Sequence, residues 1–309
     1  MSTVSFNRPF NVLAPAKLNI RLKITGRRPD GYHELLSIMV PVALYDQLEL
    51  KFIEEPEIRM SCRGFSAPAS ADNLAWRAAQ SFFSRIGWQN GLSIILTKKI
   101  PVAAGLGGGS SDAAATLMAL NEVLGGPLLP KELAKLALQL GADVPFFLQR
   151  RPCIAQGIGE ILEPLPKWPS LSYVIVMPDI SVSTASVYEA LDQPYFEPFE
   201  EDKLEYELTT DDIYDMSTNL EKTPVEACRL MDNDLERVTV ARFPIIREIK
   251  RSLLNAGARG ALMSGSGPSV FGVFDSETVA IRAKSILDTA SLGQVFVVEG
   301  INSWGVVKW

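Results

Sequence analysis

Residues 101–111 read PVAAGLGGGSS, and residues 112–117, DAAATL, continue as a run of mostly small and aliphatic side chains. Four of the five residues 105–109 are glycine, which permits positive φ and lets backbone N–H groups approach an anion without a Cβ in the way. The run that follows favours a helix, whose first N–H groups and positive dipole end attract the same anion. The stretch therefore predicts a polyphosphate-binding loop in front of a helix from about Ser111 to Leu124.

The sequence excludes two better-known phosphate loops. A P-loop needs a lysine after its last glycine, and Gly109 is followed by Ser110. The dinucleotide-binding fingerprint needs a third glycine where Ser110 stands. A flexible glycine linker is the remaining alternative, and the helical run that begins at once disfavours it.

The composition limits the classes of protein to consider. A chain of 309 residues favours two domains, and a net charge of −6 argues against nucleic acid as a partner while leaving small anions open. The cysteines, Cys62, Cys153 and Cys228, are too widely spaced to predict a disulfide framework or a zinc site. The N-terminus lacks the pattern of a signal peptide, and no apolar run reaches the roughly 18 residues of a membrane span. We therefore expect a cytoplasmic protein without a membrane partner.

The order of the predicted elements favours an α+β fold. Alternating apolar residues predict a strand over residues 18–24, and SIMVPVAL and QLELKF predict separate second and third strands. Residues 71–87 predict an amphipathic helix with Asp72 or Asn73 at its cap. Strands that precede helices in this way are typical of α+β domains.

The second half alternates strands and helices, which is typical of a ferredoxin-like sandwich. We place the domain boundary in KWPS, giving domains of residues 1–168 and 169–309. The stretch near 197–221 is strongly acidic and poor in aliphatic residues, so it predicts a solvated insertion.

Three residues are candidates for chemistry. His33 is the only histidine, so histidine-rich metal sites are excluded, and a general base is more readily a carboxylate or a lysine. Asp143 follows a predicted helix C-terminus among apolar neighbours, where the helix dipole disfavours an acid, and Pro145 is expected to stop the helix. Lys17 stands at the apolar start of a strand, where its charge needs a partner. Lys17 and Asp143 are therefore a candidate acid–base pair.

Four motifs in this order resemble the GHMP kinase superfamily: PAKLN with GRRPDGYHEL, the glycine loop, GADVP and SGSGPS. PAKLN joined to GRRPDGYHEL, with NDLE at 233–236, resembles the branch that acts on a cytidine diphosphate-linked methylerythritol. The resemblance implies a ribosomal-S5-domain-2-like N-terminal domain, a ferredoxin-like C-terminal domain and an active site in the cleft between them. It also implies ATP-dependent phosphorylation of the substrate's 2-hydroxyl in the non-mevalonate route to isoprenoid precursors.

By the same resemblance, Asp143 is the catalytic base and Lys17 its partner. The implied ATP-binding residues are Pro101, Val102, Ala103, Ala104, Gly105, Leu106, Gly107, Gly108, Gly109, Ser110 and Ser111. The implied substrate-binding residues are Asn19, Tyr32, His33, Thr184, Tyr188, Gly265, Ser266 and Gly267. Among them Tyr32 is expected to stack on cytosine, and His33 to hydrogen-bond its edge.

Magnesium is expected with ATP, without an assigned protein ligand, and no tightly bound organic cofactor is expected. Two alternatives stay open at this point. One is another GHMP kinase, acting on homoserine or mevalonate, which would not need Tyr32 and His33 to recognise a base. The other is a non-catalytic nucleotide-binding module, which Lys17 and Asp143 disfavour. The sequence does not decide whether the chain forms a homodimer.

Overall fold

The computed structural model of the chain describes residues 8–165, 168–192, 212, 215, 223–305 and 307–308. Its strands are β1 (Phe10–Arg27), β2 (His33–Ile53), β3 (Ile58–Gly64), β4 (Gly91–Lys98), β5 (Cys153–Gln156), β6 (Ile161–Pro164), β7 (Ser172–Met177), β8 (Asp232–Asn233), β9 (Gly260–Met263), β10 (Val270–Phe274), β11 (Gln294–Glu299) and β12 (Val307–Lys308). The helices whose bounds lie within the described residues are α1 (Leu74–Ile86), α2 (Gly108–Val123), α3 (Pro130–Leu140), α4 (Val144–Gln149), α5 (Thr184–Leu191), α6 (Pro224–Arg229), α7 (Glu236–Arg242), α8 (Ile245–Asn255) and α9 (Glu277–Thr289).

The described strands form two sheets. The first has the order β12–β1–β2–β4–β3, with β5 on β2, β6 on β5 and β8 on β1. The second has the order β11–β7–β10–β9 with antiparallel neighbours. Numbered within that sheet, the strands run 4-1-3-2, which confirms the ferredoxin-like arrangement expected for the second half of the chain.

An irregularity in β1 delivers polar side chains to the interior. Before it, Phe10, Val12 and Ala14 belong to the core between the first sheet and helices α1–α4. The pairing with β2 then shifts between Pro15 and Ala16, and the next even-numbered residues, such as Leu18, belong to the core between the two sheets. The apolar face of β1 therefore changes from one core to the other at this irregularity. Lys17 and Asn19 alternate with Leu18 along the strand, so they are buried on the opposite face of β1.

Two sequence predictions about the elements were wrong. The segments SIMVPVAL and QLELKF form one long strand, β2, because β1 pairs with it through most of its length and absorbs the break as a register shift. Helix α2 begins at Gly108 and not near Ser111, since the last glycines of the run are already helical. The cap of α1 was predicted correctly: the Asn73 side chain accepts a hydrogen bond from the N–H of Ala75.

Segments from late in the chain complete the first sheet. β8 pairs in parallel with the later part of β1, and β12 pairs antiparallel with its start, both along the edge that β2 does not occupy. Trp304, just before β12, is buried in the core of that sheet. The division of the chain at residue 168 stays a prediction.

The acidic stretch 197–221 lies outside the described residues apart from Asp212 and Asp215. Within the part of the chain that the structure describes, no helix has the length and apolar character to cross a membrane.

Candidate active site

Most of the predicted site residues line a cavity of about 880 Å³. Those residues are Lys17, Asn19, Tyr32, His33, Pro101, Val102, Ala103, Ala104, Gly105, Gly107, Gly108, Gly109, Ser110, Asp143, Thr184, Tyr188, Gly265 and Ser266. Three predicted residues, Leu106, Ser111 and Gly267, are not on the wall. Leu106 packs into the core between the sheets, and Ser111 is buried within α2. Their proposed ligand contacts would have to come from the backbone.

The glycine loop ends in a helix cap that only glycine fits. Gly107 caps α2 with a φ of 70°, in the left-handed region. A Cβ at this position would lie 3.0 Å from both Lys17 Cγ and Phe147 Cζ. The backbone therefore passes directly over the buried lysine, and the first N–H groups of α2 lie beside it at the cavity.

The glycine loop also touches the loop between β9 and β10. A Cβ on Gly105 would come within 2.1 Å of the Ser264 carbonyl oxygen, and the Ser264 hydroxyl donates to the Gly105 carbonyl at 3.0 Å. The Asn19 N–H donates to the same hydroxyl at 3.2 Å. Asn233 fixes this second loop through hydrogen bonds from Nδ2 to the carbonyls of Met263 and Gly265. The asparagine of the NDLE motif therefore holds the SGSGPS loop against the phosphate loop.

Lys17 and Asp143, the candidate acid–base pair, meet in the cavity. Lys17 Nζ lies 3.7 Å from Asp143 Oδ2 and also donates a hydrogen bond to Asn19 Oδ1. The lysine is almost fully buried, whereas 40 % of the Asp143 side chain is exposed. A buried ammonium group therefore lies beside a carboxylate whose oxygens stay open to a ligand.

The sequence argument about the surroundings of Asp143 was wrong in one respect. Helix α3 ends at Leu140, and Asp143 is the N-cap of the next helix, α4, in which Pro145 stands in the first turn. Pro145 therefore starts a helix, which proline does readily because its missing N–H is not needed there. The dipole of α4 favours the carboxylate, although the Asp143 side chain accepts no capping hydrogen bond from the N–H groups of that helix.

Aromatic residues from both halves of the chain also line the cavity. The rings of His33 and Tyr188 lie 5.2 Å apart with an interplanar angle of 31°. Burial and the nearby charge of Asp143 raise the pKa of Tyr188 to about 12, so this phenol stays neutral. Tyr32 lines the cavity but is 61 % exposed, which leaves its ring face open to a planar ligand. The hydroxyl groups of Thr184 and Ser266 are hydrogen-bonded to each other at 2.8 Å, which links the start of α5 to the loop between β9 and β10.

A buried triad of charges underlies the glycine loop, and the sequence reading missed it. Lys98, the last residue of β4, donates hydrogen bonds to Asp46 Oδ2 on β2 and to Asp112 Oδ2 on α2, the latter at 2.9 Å. Asp46 Oδ1 accepts from the backbone N–H groups of Lys99 and Ile100, at 2.6 and 2.9 Å. The triad therefore ties β2, the start of the glycine loop and the start of α2 together.

The protonation of this triad is set by burial. Burial raises the pKa of the Asp112 carboxyl well above its ordinary value, and the Lys98 ammonium offsets only part of that rise. Burial acts to lower the pKa of Lys98, but the charges of Asp112 and Asp46 outweigh it, and the pKa is raised. Asp112 Oδ1 has no hydrogen-bond partner among the described residues. The triad thus holds a carboxylate whose ionisation is costly.

Replacing Asp112 by Asn is expected to remove a pH dependence of stability. Because the folded-state pKa of Asp112 lies above its unfolded value, folding takes up a proton between those two values, and stability falls as pH rises through that window. The free energy of unfolding of the Asn variant relative to the native protein should therefore increase with pH by up to about 1.4 kcal/mol per pH unit. Denaturant titrations at pH 5, 6.5 and 8 measure this. A difference that is constant or shrinks with pH would contradict the assignment.

Further wall residues were also missed by the sequence reading, because none of them stands in a glycine-rich or charged motif. Ala67, Pro68, Asn73 and Leu74 line the cavity beyond the glycine loop. Their approach depends on the pairing of β3 with β4, which brings the segment after β3 to the loop that follows β4. Only the tertiary structure shows this.

The cleft formed by two glycine-rich loops with a lysine–aspartate pair defines a small-molecule kinase. Residues 73–151 match the family described as GHMP kinases N terminal domain, and residues 216–291 match GHMP kinases C terminal. A homoserine kinase structure from Cytophaga hutchinsonii shares the fold, with a TM-score of 0.71 and 20 % identity over 100 % of this chain and 99 % of that one. The chain belongs to the GHMP kinases.

Within them it belongs to the 4-diphosphocytidyl-2-C-methyl-D-erythritol kinase family. It is 48 % identical over 290 residues to that kinase from Syntrophotalea carbinolica, covering 94 % of this chain and 98 % of the relative. It is also similar to a crystal structure of a 4-(cytidine 5'-diphospho)-2C-methyl-D-erythritol kinase, with a TM-score of 0.76 and 35 % identity over 96 % of this chain and 100 % of that one. These relatives do not favour the homoserine or mevalonate alternative.

Proposed function

We propose that the cavity transfers the γ-phosphoryl group of ATP to the 2-hydroxyl of 4-diphosphocytidyl-2-C-methyl-D-erythritol, giving the 2-phosphate and ADP. The observation that carries this is the single cavity in which the glycine loop, the Lys17–Asp143 pair and the His33–Tyr188 ring pair meet. The chain is an ATP-dependent small-molecule kinase by family, and in this proposal its two substrates bind end to end in the cavity.

The phosphate subsite lies between the two glycine-rich loops. Backbone N–H groups at the start of α2 and the positive end of its dipole face the cavity, where they stabilise the β- and γ-phosphates. Gly265 and Ser266 approach from the other side. The wall formed by Ala67, Pro68 and Leu74 is apolar and suits the adenine ring.

Asp143 and Lys17 perform the transfer in this proposal. The acceptor is a tertiary alcohol, which is crowded and a weak nucleophile. Because phosphoryl transfer passes through a loose transition state, positioning the hydroxyl matters more than activating it. Asp143 orients the hydroxyl and accepts its proton as the new O–P bond forms and the bond to the ADP oxygen breaks. Lys17 stabilises the charge of Asp143 and of the transferring group.

Tyr32, His33 and Tyr188 hold the cytosine in this proposal. The exposed ring of Tyr32 offers a stacking face, and Tyr188 packs beside His33 on the other domain's side. Asn19 is fixed between Lys17 Nζ and the Ser37 hydroxyl, the latter at 2.9 Å, so that it presents a rigid edge to the erythritol part. Thr184 stands one turn before Tyr188 on α5.

Magnesium is proposed to enter with ATP. Among the described residues no group of three or more His, Cys, Asp and Glu side chains is placed to hold a metal ion. Asp112 and Ser110 line the cavity and carry the hard oxygen donors that Mg²⁺ prefers. Asp112 Oδ1 is buried and has no hydrogen-bond partner within the described part of the chain. These residues fit an ion held mainly by phosphate and water. When bound, the ion neutralises phosphate charge in the transfer.

The remaining expectations are part of the same proposal. An enzyme of small soluble substrates with a net charge of −6 fits the cytoplasm and needs neither nucleic acid nor a membrane as partner. Homodimer formation is left open.

The proposal predicts which acceptor supports ADP release from Mg-ATP. The cytidine diphosphate-linked methylerythritol should be turned over, and homoserine, mevalonate and galactose should not, because none of them carries a base for Tyr32 and His33. A coupled ADP assay with each acceptor alone measures this. Turnover of one of the other acceptors would keep the phosphate loop and Asp143 but remove the cytosine site, and no turnover with any acceptor would overturn the proposal.

A further inference from the structure

Asp192 lines the same cavity as His33 and contacts it directly. Its Oδ1 is 2.9 Å from His33 Nε2, and its Oδ2 is 3.3 Å from a terminal nitrogen of Arg27. Arg27 and His33 are opposite residues in the pairing of β1 with β2. Asp192 itself is the C-cap of α5, the helix that carries Tyr188. One carboxylate thus connects the base-recognition histidine to both halves of the chain.

The contact fixes which imidazole nitrogen carries a proton. An ionised carboxylate can only accept hydrogen bonds, so Nε2 must donate, and Nδ1 of the neutral ring is then an acceptor. None of the described residues hydrogen-bonds Nδ1. Arg27 shares the same carboxylate through its contact with Oδ2. The free nitrogen is therefore a lone-pair acceptor.

We propose that Asp192 is a positioning residue that sets the base specificity of the site. By holding His33 in the Nε2–H tautomer, it presents Nδ1 as an acceptor for the exocyclic amino group of cytosine. Uracil carries a carbonyl oxygen at that position, which would face the lone pair of Nδ1 without a proton between them. The inference rests on the proposed function, in which His33 faces the base, and it adds the source of the discrimination between cytidine and uridine diphosphates.

Because His33 is the only histidine in the chain, its tautomer can be observed directly. In protein labelled with ¹⁵N-histidine, the two imidazole nitrogens give one pair of signals, whose shifts distinguish a protonated nitrogen from an unprotonated one. The wild-type protein is expected to show Nε2 protonated and Nδ1 unprotonated at pH 7.5. Nδ1 protonated in the neutral ring would overturn the proposal without any variant having to fold.

The Asp192→Asn variant tests the effect on specificity. Arg27 can only donate, so it should draw the amide oxygen of the new side chain and turn the NH₂ group toward His33. Nε2 then becomes the acceptor, and Nδ1 the donor. CDP and UDP binding is measured by calorimetry with the ATP site saturated by a non-hydrolysable ATP analogue. The wild-type preference for CDP over UDP should fall by about tenfold or more in the variant.

Two control variants separate the possible failures. His33→Ala should abolish the preference for CDP, and Asp275→Asn, another carboxylate paired with an arginine, Arg259, should leave it unchanged. If the wild type shows no preference that His33→Ala removes, the reading of cytosine by His33 fails. The other case is a wild-type preference for CDP that His33→Ala removes. If Asp192→Asn then weakens the binding of CDP and UDP equally, or keeps the preference, Asp192 has only a structural role and this inference is overturned.

Discussion

Replacing Asp143 by Asn is expected to lower kcat by about 10²-fold or more and to leave ATP affinity almost unchanged. The amide keeps the size of the side chain and its place at the start of α4, but it cannot accept the proton of the substrate hydroxyl. It also removes the negative partner of Lys17, which lies 3.7 Å away. The loss should appear mainly in the chemical step, because the glycine loop that binds ATP makes no use of the carboxylate.

Single-turnover kinetics with Mg-ATP and the cytidine substrate measure this step apart from product release. ATP affinity is measured separately by calorimetry on both proteins. Asp275→Asn is a matched control, since its side chain is 43 % exposed, close to the 40 % of Asp143, and it too is paired with a basic residue. A transfer rate within a few-fold of the native protein would remove Asp143 as the base.

Replacing Asp46 by Ala is expected to lower the free energy of unfolding by about 3–5 kcal/mol. Asp46 is fully buried, and its loss leaves the N–H groups of Lys99 and Ile100 without their acceptor. It also leaves Lys98 with Asp112 alone as a charge partner. Removing one member of a buried charge group costs far more than the group itself contributes, because the remaining charge and donors stay buried and unpaired.

Urea denaturation measures this loss, and Asp234→Ala is its control. Asp234 also accepts from a lysine, Lys23, and from a backbone N–H, that of Ile24, but its side chain is partly exposed. Water can replace those bonds, so the control should lose about 1 kcal/mol or less. If both variants lose the same free energy of unfolding, the burial of the triad does not stabilise the glycine loop.

The sequence predicts those parts of the site that depend on local backbone chemistry. Consecutive glycines before a helical run indicate an anion-binding loop wherever they stand, and a lysine in an apolar strand needs a buried partner. The asparagine cap of α1 and the ferredoxin-like order of the second sheet follow from similarly local patterns. For these elements the local preference and the tertiary structure agree.

The parts that could not be predicted depend on contacts between distant segments. Asp46 stands in a run of alternating residues and looks like a surface position of a strand, yet the pairing of β2 with β4 places it under the glycine loop. Asp143 looked like an acid at the end of a helix, because the short helix α4 begins where the proline suggested a stop. Asp192 follows a short helix without any motif, and only the packing of α5 shows its contact with His33.

The central claim is that this cavity places the tertiary 2-hydroxyl of the cytidine-linked methylerythritol against the γ-phosphate of ATP. Phosphorus NMR of the product formed from that substrate and Mg-ATP tests it most directly, because the coupling pattern reports which oxygen carries the new phosphate. We predict one phosphomonoester, on the oxygen of the methyl-bearing carbon, which has no directly attached hydrogen to split its signal. A phosphate on a primary or secondary hydroxyl, or a mixture of positions, would contradict the account.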